Sequence, residues 1–303
     1  MLSLKTVNSI AFITIENQSR LKVVLSSLGA SVFAIYFNDE LMTLSLKDKI
    51  DFSNPDLYHG KTIGPVCGRI AYGKIDEYRY ETNEENVARH GGKNGLSTQL
   101  FNYRFEEKTD TVSVIFSFQG FIVEYVVNQK EDSFIVNYLY QEKEQPVSLS
   151  NHLFFHLGNS LDKLSLKLQA NAFVENNPLS LVPLKERELL PCLDFSNGKS
   201  VIKDIYDPYL MNNRTKGYDH YLRFSDRKEL FLSDDKYVLS ITTDFDGVLI
   251  YSDNYDFKEE TIDDRKGIRK ALAVEPQDSP LERKKYGDNH PYHRFIKYTF
   301  SKK

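Results

Sequence analysis

The sequence predicts an all-β protein, one large β sandwich with few short helices, formed by one domain over residues 1–303. Three observations support this class. Apolar residues recur with a period of two in many short segments, turn-forming residues separate these segments, and few stretches show the 3.6-residue period of a helix. A chain of 303 residues could hold two domains, but no Pro/Gly/Ser-rich linker or internal repeat divides it.

The strand predictions follow the segments that are rich in β-branched and aromatic residues. In chain order they are 9–15, 21–25, 31–37, 111–118, 121–127, 133–141, 147–155, 164–170, 221–224, 237–243, 248–251, 270–275 and 295–300. Two hairpins are expected among them. The first turns at Gln119-Gly120, and the second turns at Asp246-Gly247, a pair that tolerates the positive φ of tight turns.

Composition excludes several classes of partner. The net charge is −4, and acidic and basic residues are mixed along the chain, so neither a nucleic acid nor an anionic membrane surface is expected as a partner. No apolar run approaches membrane-spanning length, and the N-terminus lacks the pattern of a signal peptide. The two cysteines form neither a metal-spaced pair nor a disulfide framework, which favours a reducing compartment, the cytoplasm.

A carboxylate near the C-terminus is the first candidate for chemistry. Glu275 follows the apolar run 271–274 and precedes Pro276, whose ring and missing N–H are expected to end the strand at that point. A carboxylate beside apolar neighbours can have its pKa raised toward neutrality, which suits a general base. A surface glutamate that closes a strand would give the same pattern.

A histidine-rich strand is the second candidate. If the segment 148–158 is extended, His152, Phe154 and His156 share one face, and Asn151 adds a polar group to an apolar run. His152 can serve as a general acid, because its pKa is tunable around neutrality. It can equally be a core histidine that bonds a backbone carbonyl, or it can bind a metal with His156, although that spacing suits a helix better than a strand.

Three further residues could hold a ligand. His90 opens a glycine-rich loop that could present it to a ligand or be a plain structural turn. Asp219 could bond ligand hydroxyls or only open a turn before a strand. Arg69 offers a fork of donors, or it lies on the surface of a glycine-punctuated loop. The other histidines, His59, His290 and His293, have no partner in sequence and are interpreted as ordinary.

Taken together, these segments resemble the aldose 1-epimerases (galactose mutarotases) from about residue 64 to residue 280. The family's HGGxxG loop, S/T-N-H strand, D-H dipeptide and L/V-E-P-Q stretch correspond in order to His90–Gly95, Ser150–His152, Asp219-His220 and Val274–Gln277. The resemblance implies a large antiparallel β supersandwich. It also implies that Glu275 is the base and His152 the acid, and that the substrate-binding residues are His90, Asp219, Arg69, Asn151 and Gln277.

The implied activity is interconversion of the α and β anomers of an aldohexose. The expected partner is a small sugar, with no cofactor and no metal, in a monomer or homodimer. One departure affects the family's G-R-x-x-N-R-I-x-x-G stretch, where Arg69 matches but Pro65 replaces the first arginine and Gly68 replaces the asparagine. The alternatives are a sugar-binding or regulatory module, an epimerase of phosphorylated hexoses with Arg69, Arg89 and Lys93 as cations, and a glycoside hydrolase using Glu275 and Asp219.

Overall fold

The computed structural model describes residues 1–303, and nearly all of its regular structure is β-strand. The strands, in chain order, are β1 (Leu2–Val7), β2 (Ile10–Glu16), β3 (Leu21–Ser26), β4 (Ser31–Phe37), β5 (Glu40–Leu41), β6 (Thr62–Ile63), β7 (Arg69–Ala71), β8 (Lys74–Ile75), β9 (Tyr78–Arg79), β10 (Val87–Arg89), β11 (Asn102–Lys108), β12 (Thr111–Phe118), β13 (Phe121–Asn128), β14 (Ser133–Tyr140), β15 (Gln145–Pro146), β16 (Ser150–Asn151), β17 (Phe154–Phe155), β18 (Ser165–Leu168), β19 (Ala170–Asn176), β20 (Pro183–Glu188), β21 (Lys199–Ser200), β22 (Asp219–Phe224), β23 (Glu229–Ser233), β24 (Tyr237–Thr243), β25 (Gly247–Tyr251), β26 (Leu272–Gln277), β27 (Lys285–Tyr286) and β28 (Tyr292–Lys302).

Helical structure is limited to one short α-helix and four single turns. These are α1 (Pro208–Met211) and the 3₁₀ turns Asp51–Ser53, Leu96–Thr98, Leu161–Lys163 and Pro191–Leu193. Among the helices, none is long and apolar enough to cross a membrane.

Three larger sheets and four two-stranded sheets make up the molecule, and the strand pairings of the larger sheets are antiparallel. The five-stranded sheet has the order β1-β2-β3-β4-β5. The nine-stranded sheet has the order β11-β12-β13-β14-β28-β24-β23-β18-β21, and the six-stranded sheet has the order β17-β26-β25-β22-β19-β20. The predicted all-β antiparallel class is therefore confirmed.

The main core lies between the two larger sheets. One cluster of 56 buried side chains draws on both, with Val123 and Tyr125 from the nine-stranded sheet and Val248 and Val274 from the six-stranded sheet. Burial alternates along β13, as expected for a strand with one covered face, but every residue of β26 is buried. Since β26 is covered on both faces, it carries polar side chains into the interior.

The first predicted hairpin is confirmed. Strands β12 and β13 pair with Phe118 opposite Phe121, which leaves Gln119 and Gly120 as a two-residue turn. Both turn residues have positive φ, at 43° and 74°, as the primed hairpin turns require.

The second predicted hairpin is wrong. Strand β24 pairs with β23 and β28 in the nine-stranded sheet, whereas β25 pairs with β22 and β26 in the six-stranded sheet. The segment that contains Asp246 therefore carries the chain from one sheet to the other. Gly247 does not have the positive φ of a tight turn. It is required because a Cβ there would lie 2.4 Å from the Leu222 carbonyl oxygen and from the Tyr221 ring.

Three other strand predictions are wrong in their extent. The 164–170 strand divides at Gln169 into β18 and β19, which belong to different sheets. The 147–155 strand divides into β16 and β17 around His152, because β16 pairs with β6 and β17 pairs with β26. The strand containing Glu275 does not end there but continues to Gln277, opposite Gly247.

Pro276 is tolerated inside β26 because of the direction in which its backbone points. Its carbonyl oxygen accepts a hydrogen bond from the Ser150 hydroxyl at 2.8 Å, on the side away from β25. The N–H and C=O groups of one strand residue point to the same side of the strand. The N–H that Pro276 lacks would therefore also point away from β25, so no hydrogen bond between β25 and β26 is lost. The strand therefore continues past a proline that was expected to end it.

Candidate active site

The candidate site is a partly open cavity of about 120 Å³ beside the six-stranded sheet. Glu275 reaches it from β26, Asp219 from the start of β22 and Arg69 from the start of β7, while His90 and His152 come from loops. Its complete lining is Asp56, Tyr58, His59, Gly68, Arg69, Arg89, His90, His152, Phe154, Asp219, Leu249, Tyr251, Tyr255, Phe257 and Glu275. Five residues proposed from separate parts of the sequence therefore meet in one place.

Glu275 and His152 form the closest titratable pair of the cavity. His152 Nε2 lies 3.2 Å from Glu275 Oε1, and the exposed fractions of the two side chains are 10% and 1%. This contact is not a hydrogen bond, so both carboxyl oxygens of Glu275 remain without a partner. The other ring nitrogen of the histidine, His152 Nδ1, also has no partner. Buried polar atoms in folded proteins are normally satisfied. Unpaired atoms that face a cavity are therefore available for a ligand.

The surroundings of this pair disfavour charge on both members. Burial, and then the negative charge of Asp219, raises the pKa of Glu275 well above its ordinary range. Burial, together with the neighbouring His59 and Arg89, holds the pKa of His152 well below that of a free histidine. Both shifts favour a state in which Glu275 is protonated and His152 is neutral. A pair of this kind can give a proton to one ligand atom and take a proton from another.

An ion-pair network holds the charged side of the cavity. Arg69 Nη1 lies 3.4 Å from Asp219 Oδ2, and Arg69 Nε donates to Glu84 Oε2 at 3.2 Å. Glu84 also contacts Arg89 at 2.8 Å and Arg214 at 3.2 Å. Burial opposes ionisation of Glu84, but the three arginines hold its pKa below the ordinary value. Glu84 thereby fixes Arg69, which keeps Nη2 free for a ligand.

The glycine-rich loop presents His90 in one orientation. His90 has a φ of 53°, and Gly91 must lack a Cβ because that atom would lie 2.2 Å from the Gly64 carbonyl oxygen. The Gly68 N–H donates to His90 Nδ1 at 3.3 Å, which leaves the proton on Nε2. Burial, and then the neighbouring His152, lowers the pKa of His90 well below its usual value. His90 is therefore a neutral hydrogen-bond donor toward the cavity.

An aromatic wall, defined here as His59, Phe154, Tyr251 and Phe257, closes another side of the cavity. The Phe154 ring lies 4.8 Å from the His152 ring and 4.9 Å from the His59 ring, so Phe154 is held between the two histidines. Sugar rings and other partly apolar ligands pack against such surfaces. Phe155, the neighbour of Phe154 in β17, belongs instead to the main core.

Two predicted binding residues do not line the cavity. Asn151 is buried next to His152, and its amide donates to the Tyr125 hydroxyl at 3.0 Å. Gln277 lies two residues beyond Glu275 in β26 and is also fully buried. His156 is likewise elsewhere, where its Nδ1 lies 3.0 Å from Arg265 Nη2. The expected common face therefore extends from His152 to Phe154 but does not include His156.

Sequence reasoning missed several residues of the site. His59, interpreted as ordinary, is in the lining together with Tyr58, and Glu84 organises the arginines from outside it. His59 precedes Gly60, where a Cβ would lie 1.8 Å from the Val32 carbonyl oxygen. A glycine required in this way indicates a constrained turn, and this is the local signal for His59. Glu84 carries no local signal, because its role depends on three arginines that are distant in sequence.

Comparison with known proteins points to one family. A family profile described as aldose 1-epimerase matches residues 11–290. An aldose 1-epimerase of Lactobacillus helveticus is 29% identical over 96 residues, which cover 30% of this chain and 74% of that protein.

Solved structures share the fold over nearly the whole chain. A galactose 1-epimerase from Lactobacillus acidophilus has a TM-score of 0.88 at 20% identity and covers 100% of this chain and 99% of its own. An aldose epimerase homologue from C. elegans has a TM-score of 0.80 at 23% identity, with 96% and 98% covered. At these identities the structural likeness concerns the fold alone.

Proposed function

The chain belongs to the aldose 1-epimerase family, and we propose that it interconverts the α and β anomers of a free aldohexose by acid–base ring opening and closure. The observation that carries this proposal is the buried pair of Glu275 and His152. Their reactive atoms lie 3.2 Å apart in a cavity, and neither carboxyl oxygen has a hydrogen-bond partner.

Mutarotation needs two proton transfers on two oxygens that share the anomeric carbon. Glu275, as carboxylate, takes the proton from the C1 hydroxyl while protonated His152 gives its proton to the ring oxygen. The bond between C1 and the ring oxygen breaks, and C1 becomes an aldehyde. Rotation about C1–C2 presents the other face of the carbonyl, and the reverse transfers close the ring. The enzyme ends with the protons it began with.

The pair works with one shared proton throughout. Ring opening converts ionised Glu275 and protonated His152 into their neutral forms, and ring closure restores the charges. The shifted pKa values of the two groups favour the neutral form in the empty cavity, because burial penalises charge on both residues. Activity is expected to fall at low pH, where His152 gains a second proton, and at high pH, where Glu275 loses its proton. The acidic and alkaline limbs of the pH–activity profile report macroscopic pKa values of the Glu275–His152 pair.

The remaining cavity residues suit the binding of a polyhydroxyl ring. His90 offers a donor, Asp219 an acceptor and Arg69 a forked donor, while Phe154 supplies an apolar face. In this proposal they bind hydroxyls away from C1. Asn151 and Gln277 are not sugar contacts in this proposal, because neither lines the cavity. A small sugar is the proposed partner, and a cytoplasmic setting and a monomer or homodimer remain predictions.

Epimerisation of a phosphorylated hexose has less support. Arg69 and Arg89 carry positive charge at the cavity, but both are paired with acidic side chains, Arg69 with Asp219 and Glu84 and Arg89 with Glu84. These carboxylates already offset the charge of both guanidinium groups, which weakens the attraction for a phosphate group. A neutral sugar needs no excess positive charge.

Polarimetry tests the proposed function directly. Freshly dissolved α-D-galactose and α-D-glucose are followed to anomeric equilibrium with and without the protein. The protein is expected to accelerate the approach to equilibrium for at least one of them. Saturable sugar binding without acceleration would instead identify a binding or regulatory module, and release of reducing sugar from a disaccharide would identify a glycoside hydrolase.

A further inference from the structure

His59 is the one residue of the aromatic wall with a ring nitrogen. It is only 4% exposed, and no side-chain hydrogen bond is formed by its ring. Nδ1 is fully enclosed and has no partner, so Nε2 is the nitrogen that remains open to the cavity. The wall's other polar group, the Tyr251 hydroxyl, already accepts a hydrogen bond from the Asn254 N–H at 3.0 Å.

The His59 ring is held in position from several sides. It stacks on Phe154 with ring centroids 4.9 Å apart and an interplanar angle of 26°, and it meets Phe257 edge-on at 5.6 Å. The next residue, Gly60, has a φ of 65°, and its N–H donates to the His152 carbonyl oxygen at 2.8 Å. The turn that carries His59 is therefore tied to the backbone of His152.

His59 remains uncharged over the working pH range of a typical enzyme. Burial, and then the charges of Lys270 and Lys61, lowers the pKa of His59 to about 3. A neutral imidazole in this position can hydrogen-bond a neutral group. A histidine with a purely structural role would be expected to have a satisfied ring, and this ring has no partner.

We propose that His59 is a specificity-determining substrate contact whose Nε2 hydrogen-bonds one hydroxyl of the sugar. This inference rests on the proposed anomer interconversion and adds a residue to its binding site. Aromatic surfaces discriminate poorly among hydroxyls, whereas a placed hydrogen-bonding group rejects a substrate that leaves it unpaired. His59 gives the aromatic wall that capacity.

The test compares His59→Phe with wild type on a series of sugars. Phenylalanine keeps the stack on Phe154 and removes both nitrogens. Values of kcat/KM are measured for the best aldohexose and for its 2-, 3-, 4- and 6-deoxy analogues. His59→Phe is expected to lose about 10- to 100-fold on the full sugar and on every analogue except the one that lacks the contacted hydroxyl. On that analogue wild type and variant should be equal.

His290→Phe is the matched control, since it makes the same substitution at an exposed histidine whose ring stacks on Tyr286 at 5.1 Å. It should match wild type on every sugar. If His59→Phe is unchanged on all sugars, or loses the same factor on all of them, the proposed contact does not exist. Should His59→Phe fail to fold, His59→Leu replaces it, since leucine also lacks a hydrogen-bonding group, and a loss that spares one deoxy analogue remains the criterion.

Measurements of sugar binding test the His59 contact independently of the proposed catalytic activity. Calorimetric titration of the same sugars into wild type and His59→Phe needs no turnover. If the protein binds a sugar without speeding mutarotation, and His59→Phe weakens binding except for one deoxy analogue, the contact stands and the catalytic proposal fails. If mutarotation is fast but neither binding nor kcat/KM shows this selectivity, the catalytic proposal stands and the contact fails.

Discussion

Replacing Glu275 by glutamine is expected to reduce activity and to increase stability. The substitution keeps the shape of the side chain but removes its capacity to gain and lose a proton. A general base typically contributes about 10²–10⁴-fold, so kcat is expected to fall by that factor in Glu275→Gln, while sugar binding largely survives. A stability gain is expected because the raised pKa of Glu275 means that folding disfavours its ionised form.

The size of the stability gain depends on pH in a way that can be worked out. Below the unfolded pKa of about 4.3, Glu275 is protonated in both states and the two proteins should be equally stable. As pH rises, the unfolded chain ionises while the folded protein retains its proton, so wild type loses about 1.4 kcal/mol per pH unit relative to the variant. The difference stops growing at the folded pKa of Glu275.

Urea unfolding of both proteins between pH 4.5 and 8 measures this difference, and polarimetry on the same samples measures activity. Glu107→Gln is the control, because Glu107 is an exposed glutamate of β11 and its replacement should give no such pH dependence. A stability difference that is flat with pH, or that favours wild type as pH rises, would refute the reasoning about burial. Full activity in Glu275→Gln would remove Glu275 as the base.

Three further substitutions test other parts of the site. His152→Asn should lower kcat by about 10²–10⁴-fold, and a change confined to KM would make His152 a binding residue. Asp219→Asn removes a negative charge that raises the pKa of Glu275, so the alkaline limb of kcat/KM should move to lower pH; an unmoved limb contradicts the coupling. Gly68→Asn has room for its side chain, since a Cβ meets nothing within 4 Å; the φ of +76° costs some stability, which asparagine tolerates better than most residues, and KM should fall because a polar contact is added. A raised KM in the folded variant contradicts that expectation.

The sequence by itself determined the class of the fold and the family. Alternation of apolar and polar residues placed β12, β13 and β24 within one residue of their ends, because a pleated strand imposes its period of two locally. The Gln119-Gly120 turn was also readable, because a two-residue hairpin depends on the conformations of its own residues. The motifs around Glu275 and His152 identified the family, and Arg69, His90 and Asp219 were found in the same way.

Tertiary structure alone decided which strands pair and which polar groups meet. Periodicity does not specify a partner, so the passage of β24 and β25 into different sheets and the continuation of β26 through Pro276 could not be read from it. His59 lies at the cavity in the folded protein, where its ring stacks on Phe154, a residue distant in the chain. The physical reason is that pairing, burial and electrostatic shifts arise between groups distant in the chain. The approach of Glu275 to His152, and the desolvation that moves both pKa values, exist only after the sheets have packed.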